Sequence, residues 1–261
     1  MSWFGRRRTP KYLAICEYWV YLRNPSLPPQ NAVMLRLHQD PGEGEERLPP
    51  LAPAEAMLFS DIRLHMALVL RPRNPHLFRP DLFERHIEPT AEILEELAAA
   101  QGMAKLRYLS EEPLADDRHL TFMPRLADAI ASMSASRVVF DSVAEKLQTA
   151  REMHSQLCSS ERLDVPDLHL RVVWMPREMG GCAATRGLAK VGLPELETPT
   201  TRPDHQAIVC EVLRLAAETL WTERSIAEPL HVECYDDTFE VRIEPARTGP
   251  LLTHIMRISE S

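Results

Sequence analysis

Glycine is scarce in this chain, and almost half of the glycines lie in one short segment. Only nine of the 261 residues are glycine, and four of them are Gly180, Gly181, Gly187 and Gly192. Glycine is used where the backbone adopts a left-handed conformation or where another group approaches it closely. The segment Gly180–Glu197, called the glycine loop below, is therefore predicted to have a specific shape and is the first candidate for a functional site.

The glycine loop also carries side chains that could bind or react. Arg186 supplies a positive charge, and Glu195 and Glu197 supply carboxylates that share one side of an extended segment. Cys182 and Thr185 add a thiol and a hydroxyl group. Two interpretations stay open. The loop is either a shaped connection with solvated charges, or a site where Arg186 binds an anion and a carboxylate acts as general base. No catalytic residue is assigned.

Sequence templates for phosphate binding and for serine hydrolases do not fit the chain. The spacing of the four loop glycines matches neither a P-loop nor a dinucleotide-binding fingerprint, and no Gly-x-Ser-x-Gly elbow occurs. His231, Glu233 and Tyr235 alternate along a predicted strand, but a third and fourth metal ligand at a recognisable spacing are missing. No metal and no cofactor is therefore predicted.

Residues 230–243 alternate apolar and polar side chains, which predicts a β-hairpin. With Asp236 and Asp237 as a two-residue turn, His231 lies opposite Arg242. The outward face of the hairpin is then a ladder of solvated charges, and the inward face is apolar.

The charge of the chain limits the classes of partner. Lys and Arg number 30 against 38 Asp and Glu, which gives a formal net charge of −8. Proteins that bind nucleic acid through bulk charge neutralise phosphates with clustered Lys and Arg, so nucleic acid is not an expected partner. An acidic chain suits a protein partner with a basic surface, because complementary potentials speed and orient association.

Cysteine usage and hydropathy indicate a cytoplasmic protein. The five cysteines are odd in number, and none forms a C-x-x-C pair; they are Cys16, Cys158, Cys182, Cys210 and Cys234. This usage is typical of reduced thiols. Cys158 and Cys210 lie on apolar faces of predicted helices and are expected to be small core residues. No stretch approaches about 18 apolar residues, so no membrane-spanning segment is predicted.

The N-terminus combines aromatic and basic residues. Arg6, Arg7 and Arg8 follow Trp3 and Phe4. This group predicts either a hook for a membrane surface or a partner, or a frayed chain end.

Apolar periodicity predicts most of the secondary structure. Helices are predicted at Thr90–Ala100, Pro124–Met133 and Pro203–Thr222; strands are predicted at Tyr12–Leu22, Asp61–Leu70, Met103–Leu109, Arg137–Asp141, Leu168–Met175, Gly181–Thr185 and Leu251–Ile258. Thr90 is the expected N-cap of the first of these helices.

Two local patterns lead to further predictions. The apolar run Ala32–Leu37, within a proline-rich stretch, is interpreted as an edge strand. Ser142 and Glu145 have the S-x-x-E spacing of a capping box, so a helix is predicted from Ser142 to about Leu157. Asp141 ends a strand where α/β sites often collect, but it also suits a turn before a helix.

Three segments follow from these patterns. Residues 1–60 form an irregular proline-rich segment with one or two strands, residues 61–163 a first α/β half, and residues 164–261 a second α+β half. The two halves meet near Asp164 and are expected to pack as one unit. The predicted fold class is α+β, with a mixed, largely antiparallel sheet flanked by about four helices and two halves that could be similar.

Residues 121–258 resemble a bacterial family of domains of unknown function. The likeness rests on a helix and strand at Ala129–Asp141, and on Thr-x-Gly-Leu…Gly-x-Pro-Glu-Leu-Glu at Thr185–Glu197. The resemblance implies an accessory or immunity-type protein of bacterial toxin and secretion loci, and it brings no catalytic residues.

The sequence thus favours a non-enzymatic protein-binding module, such as a bacterial immunity or secretion-system accessory protein. Arg186, Glu195 and Glu197 are the predicted contacts with the partner. The alternative is an enzyme whose site lies in the glycine loop, and its carboxylates would have to converge in a pocket with Arg186 or a histidine. A structural subunit is a third hypothesis, and it predicts a large exposed apolar area.

Overall fold

The computed structural model describes residues 13–39, 48–83, 90–226, 229–244 and 249–258. The strands are β1 (Ala14–Leu22), β2 (Leu64–Leu70), β3 (Gly102–Ser110), β4 (Val138–Asp141), β5 (Lys146–Thr149), β6 (Arg171–Arg177), β7 (Gly180–Arg186), β8 (Leu196–Glu197), β9 (Leu230–Cys234), β10 (Asp237–Glu244) and β11 (Leu251–Ile258). The helices are α1 (Gln30–Gln39), α2 (Pro53–Ala56), α3 (Ala91–Ala99), α4 (Arg118–Met133), α5 (Ala150–Ser159), α6 (Pro166–His169) and α7 (Gln206–Glu223). Strands β1–β5 form one sheet and β6–β11 form another.

The first sheet has the strand order β2-β3-β1-β4-β5, with antiparallel neighbours throughout. β1 lies at its centre because both of its faces are apolar. Tyr18 and Val20 belong to the core that includes α4 residues, whereas Trp19 and Tyr21 lie with the cluster that includes α3 residues. A strand covered on both faces has a nearly continuous apolar sequence, and β1 has this pattern apart from Glu17.

The second sheet has the order β6-β7-β8-β11-β10-β9. β8 and β11 are parallel, and the other neighbouring pairs are antiparallel. Helix α7 covers one face, where Val212 and Leu220 share a core with Val232 and Val241. β9 alternates buried and exposed residues, so its His231 and Glu233 lie on the opposite face.

The predicted α+β class is confirmed, and the strands are divided between two mostly antiparallel sheets. The proline-rich segment contributes β1, the central strand of the first sheet, and α1, which packs on α4. The two sheets differ in strand order. The predicted N-terminal hook, Trp3, Phe4 and Arg6–Arg8, lies outside the described residues.

Elements with a strong local signal are confirmed. The Thr90 hydroxyl accepts the N–H of Ile93 at 3.4 Å and caps α3, as expected. α7 follows a short 3-10 turn, Pro203–His205. Two boundaries differ: α4 begins at Arg118 and contains Pro124 in its interior, and a short helix, α6, precedes β6.

The predicted edge strand at Ala32–Leu37 is wrong, because these residues belong to helix α1. Val33 and Leu37 are both buried, and residues four apart share one face of a helix. The Pro29 carbonyl accepts the N–H groups of Ala32 and Val33, which starts the helix directly after the proline pair.

The helix predicted from Ser142 to Leu157 is also wrong in its first half. Asp141 accepts the N–H groups of Val143 and Ala144 at 3.2 and 3.0 Å, and this turn leads into strand β5. The helix, α5, begins only at Ala150. Its capping box is formed by Thr149 and Glu152, which have the same T/S-x-x-E spacing seven residues later.

The hairpin of β9 and β10 is confirmed, but its predicted register is wrong by two residues. The turn is Tyr235–Asp236, where Tyr235 has a φ of +54°, and Cys234 pairs with Asp237. His231 therefore lies opposite Glu240 rather than Arg242. A shift of two residues keeps every side chain on its predicted face, so the outward charge ladder is retained.

Candidate functional site

The glycine loop packs tightly against both sheets. After β7 the chain makes a 3-10 turn, Leu188–Val191, between Gly187 at φ +115° and Gly192 at φ +79°. A Cβ atom at Gly187 would lie 2.0 Å from the carbonyl oxygen of His169, and one at Gly192 would lie 2.2 Å from that of Leu13. Both positions therefore require glycine for conformation and for space.

Glu195 closes the glycine loop from within. Its Oε1 accepts the N–H groups of Gly187 at 2.8 Å and Ala189 at 3.3 Å, and its Oε2 accepts the hydroxyl of Thr185 at 2.7 Å. A carboxylate with these three donors ties Glu195 to the start of the 3-10 turn. The bonds of Glu195 are thus made inside the loop.

Arg186 and Glu197, the other two predicted contacts, bind partners that differ from those of Glu195. Arg186 Nε is 3.0 Å from Glu145 Oε1, and only 18% of the arginine side chain is exposed. Glu197 Oε1 is 3.1 Å from Arg177 Nη2 and 3.8 Å from the thiol of Cys182. The structure does not bring the two carboxylates together with Arg186 in one pocket.

The 3-10 turn of the glycine loop places a lysine in the interior. The side chain of Lys190 is fully buried, and its ammonium group forms an ion pair with Asp141 at the end of β4. The same group lies 3.2 Å from His169 Nδ1 and 3.5 Å from the hydroxyl of Tyr18. A buried charge is tolerated when it is paired and hydrogen-bonded in this way.

The groups around this ion pair are held neutral by burial. His169 donates its Nε2–H to the carbonyl of Leu163 at 2.7 Å, which leaves Nδ1 to accept from Lys190. Burial, together with the nearby Lys190 charge, holds the pKa of His169 well below its ordinary value. Burial likewise raises the pKa of Cys16 to about 12 and that of Tyr18 well above its usual range.

Space next to the ion pair is too small for a substrate. A cavity of about 10 Å³ is lined by Tyr18, Asp141, Lys146 and Gln148, among others. One water molecule needs at least about 10–15 Å³. The Lys190–Asp141 ion pair instead joins a loop of the second sheet to a strand of the first. The signal for this ion pair in the sequence is a lysine between Gly187 and Gly192, which the pattern of paired carboxylates does not include.

The accessible feature near the glycine loop is a split in the second sheet. β8 pairs with β11 only at Leu251 and Leu252. Beyond β8 the chain follows β7, since Thr198 and Thr201 donate their N–H groups to the carbonyls of Ala183 and Gly181 at 2.9 and 2.7 Å. β11 continues instead along β10 to Ile258. The two segments diverge and leave an opening of about 570 Å³, called the edge groove below.

The edge groove has an apolar floor and a polar rim. Its lining residues are Thr198, Pro199, Thr201, His205, Val209, Arg242, Ile243, Glu244, Thr253, His254, Ile255 and Met256. Val209, Ile243 and Thr253 are buried, whereas the side chain of Glu244 is 61% exposed and lies 3.1 Å from His254. The groove could therefore hold a chain that alternates apolar and polar side chains.

The edge groove also exposes strand backbone. The N–H of Leu251 donates to the carbonyl of Glu195 at 2.7 Å, so it points away from β10. Alternate residues of a strand direct their backbone groups to the same side, which places those of Ile255 and Arg257 toward the groove. Within the described residues, no strand pairs with β11 on this side beyond Leu252.

Two other classes of site receive no support from the described residues. In that part of the chain, no three His, Cys, Asp or Glu side chains are grouped to hold a metal ion. No helix there combines the length and apolar character needed to cross a bilayer.

Comparisons with protein-family models, with curated proteins and with solved structures found no match for this chain. The resemblance of residues 121–258 to a bacterial domain family therefore rests on the sequence pattern alone.

Proposed function

We propose that this protein is a non-enzymatic protein-binding module that captures an extended segment of its partner in the edge groove. The observation that carries the proposal is the open side of β11 in the interior of the second sheet. A peptide can add to such an edge as a further strand, with affinity from main-chain hydrogen bonds and specificity from pockets for alternate side chains.

The surface beside the groove supports an occupant with apolar side chains. Leu252, Met256 and Ile258 alternate along β11 on the face away from α7, and they are 37%, 41% and 40% exposed. Leu252 lies beside Glu197 in the parallel pairing. Exposed apolar side chains that line an open strand edge are suited to a second chain.

The net charge of the chain and the carboxylates near the edge groove favour a positively charged partner segment. The net charge is −8, and Glu197 and Glu244 place carboxylates on either side of Leu252, at one end of the exposed stripe. A segment with basic and apolar residues is the complementary occupant. Of the three contacts predicted from the sequence, Glu197 fits this site best, because its partner Arg177 is half-exposed, whereas Arg186 is largely buried and Glu195 bonds within the glycine loop.

The enzyme alternative has less support. It needs the carboxylates of the glycine loop to converge with Arg186 or a histidine, and each of the three side chains instead binds a different partner. The cytoplasm is the proposed location, on the basis of five cysteines without a disulfide among them. The immunity or secretion-accessory role follows only from the resemblance.

The experiment is an affinity capture from the native host with tagged protein and two variants at Ile255. Ile255→Pro removes the N–H that points into the groove, while the bonds of β11 to β10 use its neighbours. Ile255→Val keeps this N–H and most of the side chain. We expect one stoichiometric partner with the wild type and with Ile255→Val, and loss of that partner with Ile255→Pro.

The melting midpoints of both variants are measured alongside, so that loss of binding is compared only between folded proteins. A partner that Ile255→Pro retains fully would contradict strand addition. Absence of any partner with the folded wild type would contradict the binding-module proposal as a whole. Hydrogen exchange of Ile255 and Arg257 in the complex gives a second readout, because strand addition protects these amides.

A further inference from the structure

A cysteine, a histidine and an aspartate form a relay on helices α4 and α5. The thiol of Cys158 lies 3.5 Å from Nε2 of His154, and Nδ1 of His154 lies 3.1 Å from both carboxylate oxygens of Asp128. His154 and Cys158 are four residues apart on α5, so they share one face of the helix. We call these three residues the thiol cluster.

The geometry assigns a role to each member of the thiol cluster. Asp128 is 5% exposed and accepts the Nδ1–H of His154, which leaves the lone pair of Nε2 directed at the thiol. This tautomer follows from the hydrogen bonds. A nucleophile, a base within reach and a third group that orients the base form the arrangement that activates thiols and hydroxyls.

The other four cysteines do not combine partial exposure with contact to an imidazole, although Cys182 accepts from Arg177 Nε at 3.3 Å. Cys16, Cys182 and Cys234 are at most 3% exposed, and burial raises the pKa of Cys16 to about 12. Cys210 is partly exposed and packs against the apolar core of the second sheet, as Cys158 packs against that of the first, and burial raises the pKa of Cys210. Cys158 combines partial exposure with contact to an imidazole. Since the thiolate is the nucleophile, we expect Cys158 to be the most reactive of the five.

We propose that Cys158 is a nucleophilic thiol that undergoes exchange with small aliphatic disulfides. Sγ of Cys158 attacks one sulfur of the disulfide while its proton passes to Nε2 of His154. A new S–S bond forms, the S–S bond of the disulfide breaks, and the leaving thiolate takes the proton from His154. The products are a mixed disulfide at Cys158 and one small thiol, and the disulfide is itself the oxidant. Asp128 is a positioning residue.

The place of Cys158 on α5 favours this chemistry over acyl transfer. Cys158 lies in the last turn of α5, where backbone carbonyls rather than N–H groups are exposed. The hydroxyls of Ser159 and Ser160 donate to the carbonyl of Gln156 in that turn. Acyl transfer needs donors for an oxyanion. Thiol–disulfide exchange forms no oxyanion, so it has no such requirement.

The test treats the native protein with cystamine at neutral pH and follows the modified cysteine by mass spectrometry of peptides. We expect the first mixed disulfide to form at Cys158. Cys158→Ser should not form this adduct, and Cys210→Ser should form the adduct at Cys158 at the wild-type rate. His154→Ala is expected to slow the reaction on the order of 10²-fold, the smaller end of general-base effects. His154 is 26% exposed, so added imidazole should reach the vacated space and restore the rate.

Rescue by imidazole distinguishes a base from a residue that only supports the fold. First modification at Cys210 or Cys182 would overturn the proposal, as would an unchanged rate in His154→Ala. Failure of imidazole to restore the rate in a variant with the wild-type melting midpoint would also overturn it. If His154→Ala has a lowered melting midpoint, His154→Gln is used in its place, because glutamine keeps more of the side-chain volume. We expect a slowed rate in His154→Gln, and an unchanged rate would overturn the proposal.

Discussion

The ammonium group of Lys190 is paired with the carboxylate of Asp141 in the interior, between a loop of the second sheet and the end of a strand in the first. Asp141 uses its other oxygen to close the turn that leads from β4 to β5. One carboxylate thus fixes a local turn and a contact between distant parts of the chain. Lys190 makes this link from a 3-10 turn that lies between two glycines with positive φ.

Removal of one member of this pair should destabilise the protein strongly. In Lys190→Met the Asp141 carboxylate stays buried without its cation, so we expect the free energy of unfolding to fall by about 3–5 kcal/mol. The double variant Lys190→Met/Asp141→Asn should recover much of the loss, because the amide is neutral and keeps an acceptor for the turn. Urea titration of the three proteins tests this. A loss below 1 kcal/mol in Lys190→Met, on the scale of an exposed pair, would contradict it.

Acid should destabilise the protein before its carboxylates titrate. Burial lowers the pKa of His169 and of His119 in the folded state, while both return to about 6.5 when the chain unfolds. Below that pH the unfolded chain binds protons that the folded chain does not, so stability falls as the pH falls. The slope is at most about 1.4 kcal/mol per pH unit for each histidine.

The measurement is the free energy of unfolding between pH 7.5 and 5. His169→Gln, which does not titrate, should show a shallower slope than the wild type in the same range. Equal stability of the wild type at both ends of the range would count against this prediction.

The glycines of the 3-10 turn should tolerate no side chain. Gly192→Ala adds both the cost of a left-handed conformation and a clash with the carbonyl of Leu13. Gly249 is the matched control, since it has a φ of +83° with no atom near the added Cβ. We expect Gly249→Ala to cost about 1–2 kcal/mol and Gly192→Ala distinctly more. Equal losses in urea titration would show that the close approach to Leu13 is unimportant.

The two carboxylates of the glycine loop should behave differently. Glu195→Ala leaves the donors of Gly187, Ala189 and Thr185 without their acceptor, so the loss of stability should be about 1–3 kcal/mol. Glu197 pairs with a half-exposed arginine, and Glu197→Ala should lose less than about 1 kcal/mol. Thermal melting of both variants tests this. A larger loss in Glu197→Ala would reverse the assignment of structural and surface roles.

Local signals allowed much of the fold to be predicted. The Thr90 cap and the apolar stripe that follows it predicted α3. The alternation of apolar and polar side chains predicted both strands of the β9–β10 hairpin. The errors arose where two local patterns compete. Ser142 and Glu145 have the spacing of a helix cap, but the turn closed by Asp141 and the pairing of β4 with β5 prevail. The register of the β9–β10 hairpin depends on a left-handed conformation at Tyr235, and tyrosine seldom adopts that conformation.

The candidate sites were harder to predict, because they depend on contacts between distant residues. The glycine pattern located the loop, but a loop lysine is normally exposed, and the partner of Lys190 lies 49 residues earlier. The spacing of His154 and Cys158 is visible in the sequence, yet Asp128 reaches them only through helix packing. The edge groove results from strands of unequal length, and no residue pattern marks it.

The direction of protein synthesis gives the buried ion pair a further consequence. Lys190 is translated 49 residues after Asp141, a delay of roughly 2–10 s at ordinary elongation rates. During that interval the first sheet contains a carboxylate whose counter-charge does not yet exist. We expect its nascent strands to remain loosely packed on the ribosome and to depend on chaperones until the glycine loop emerges.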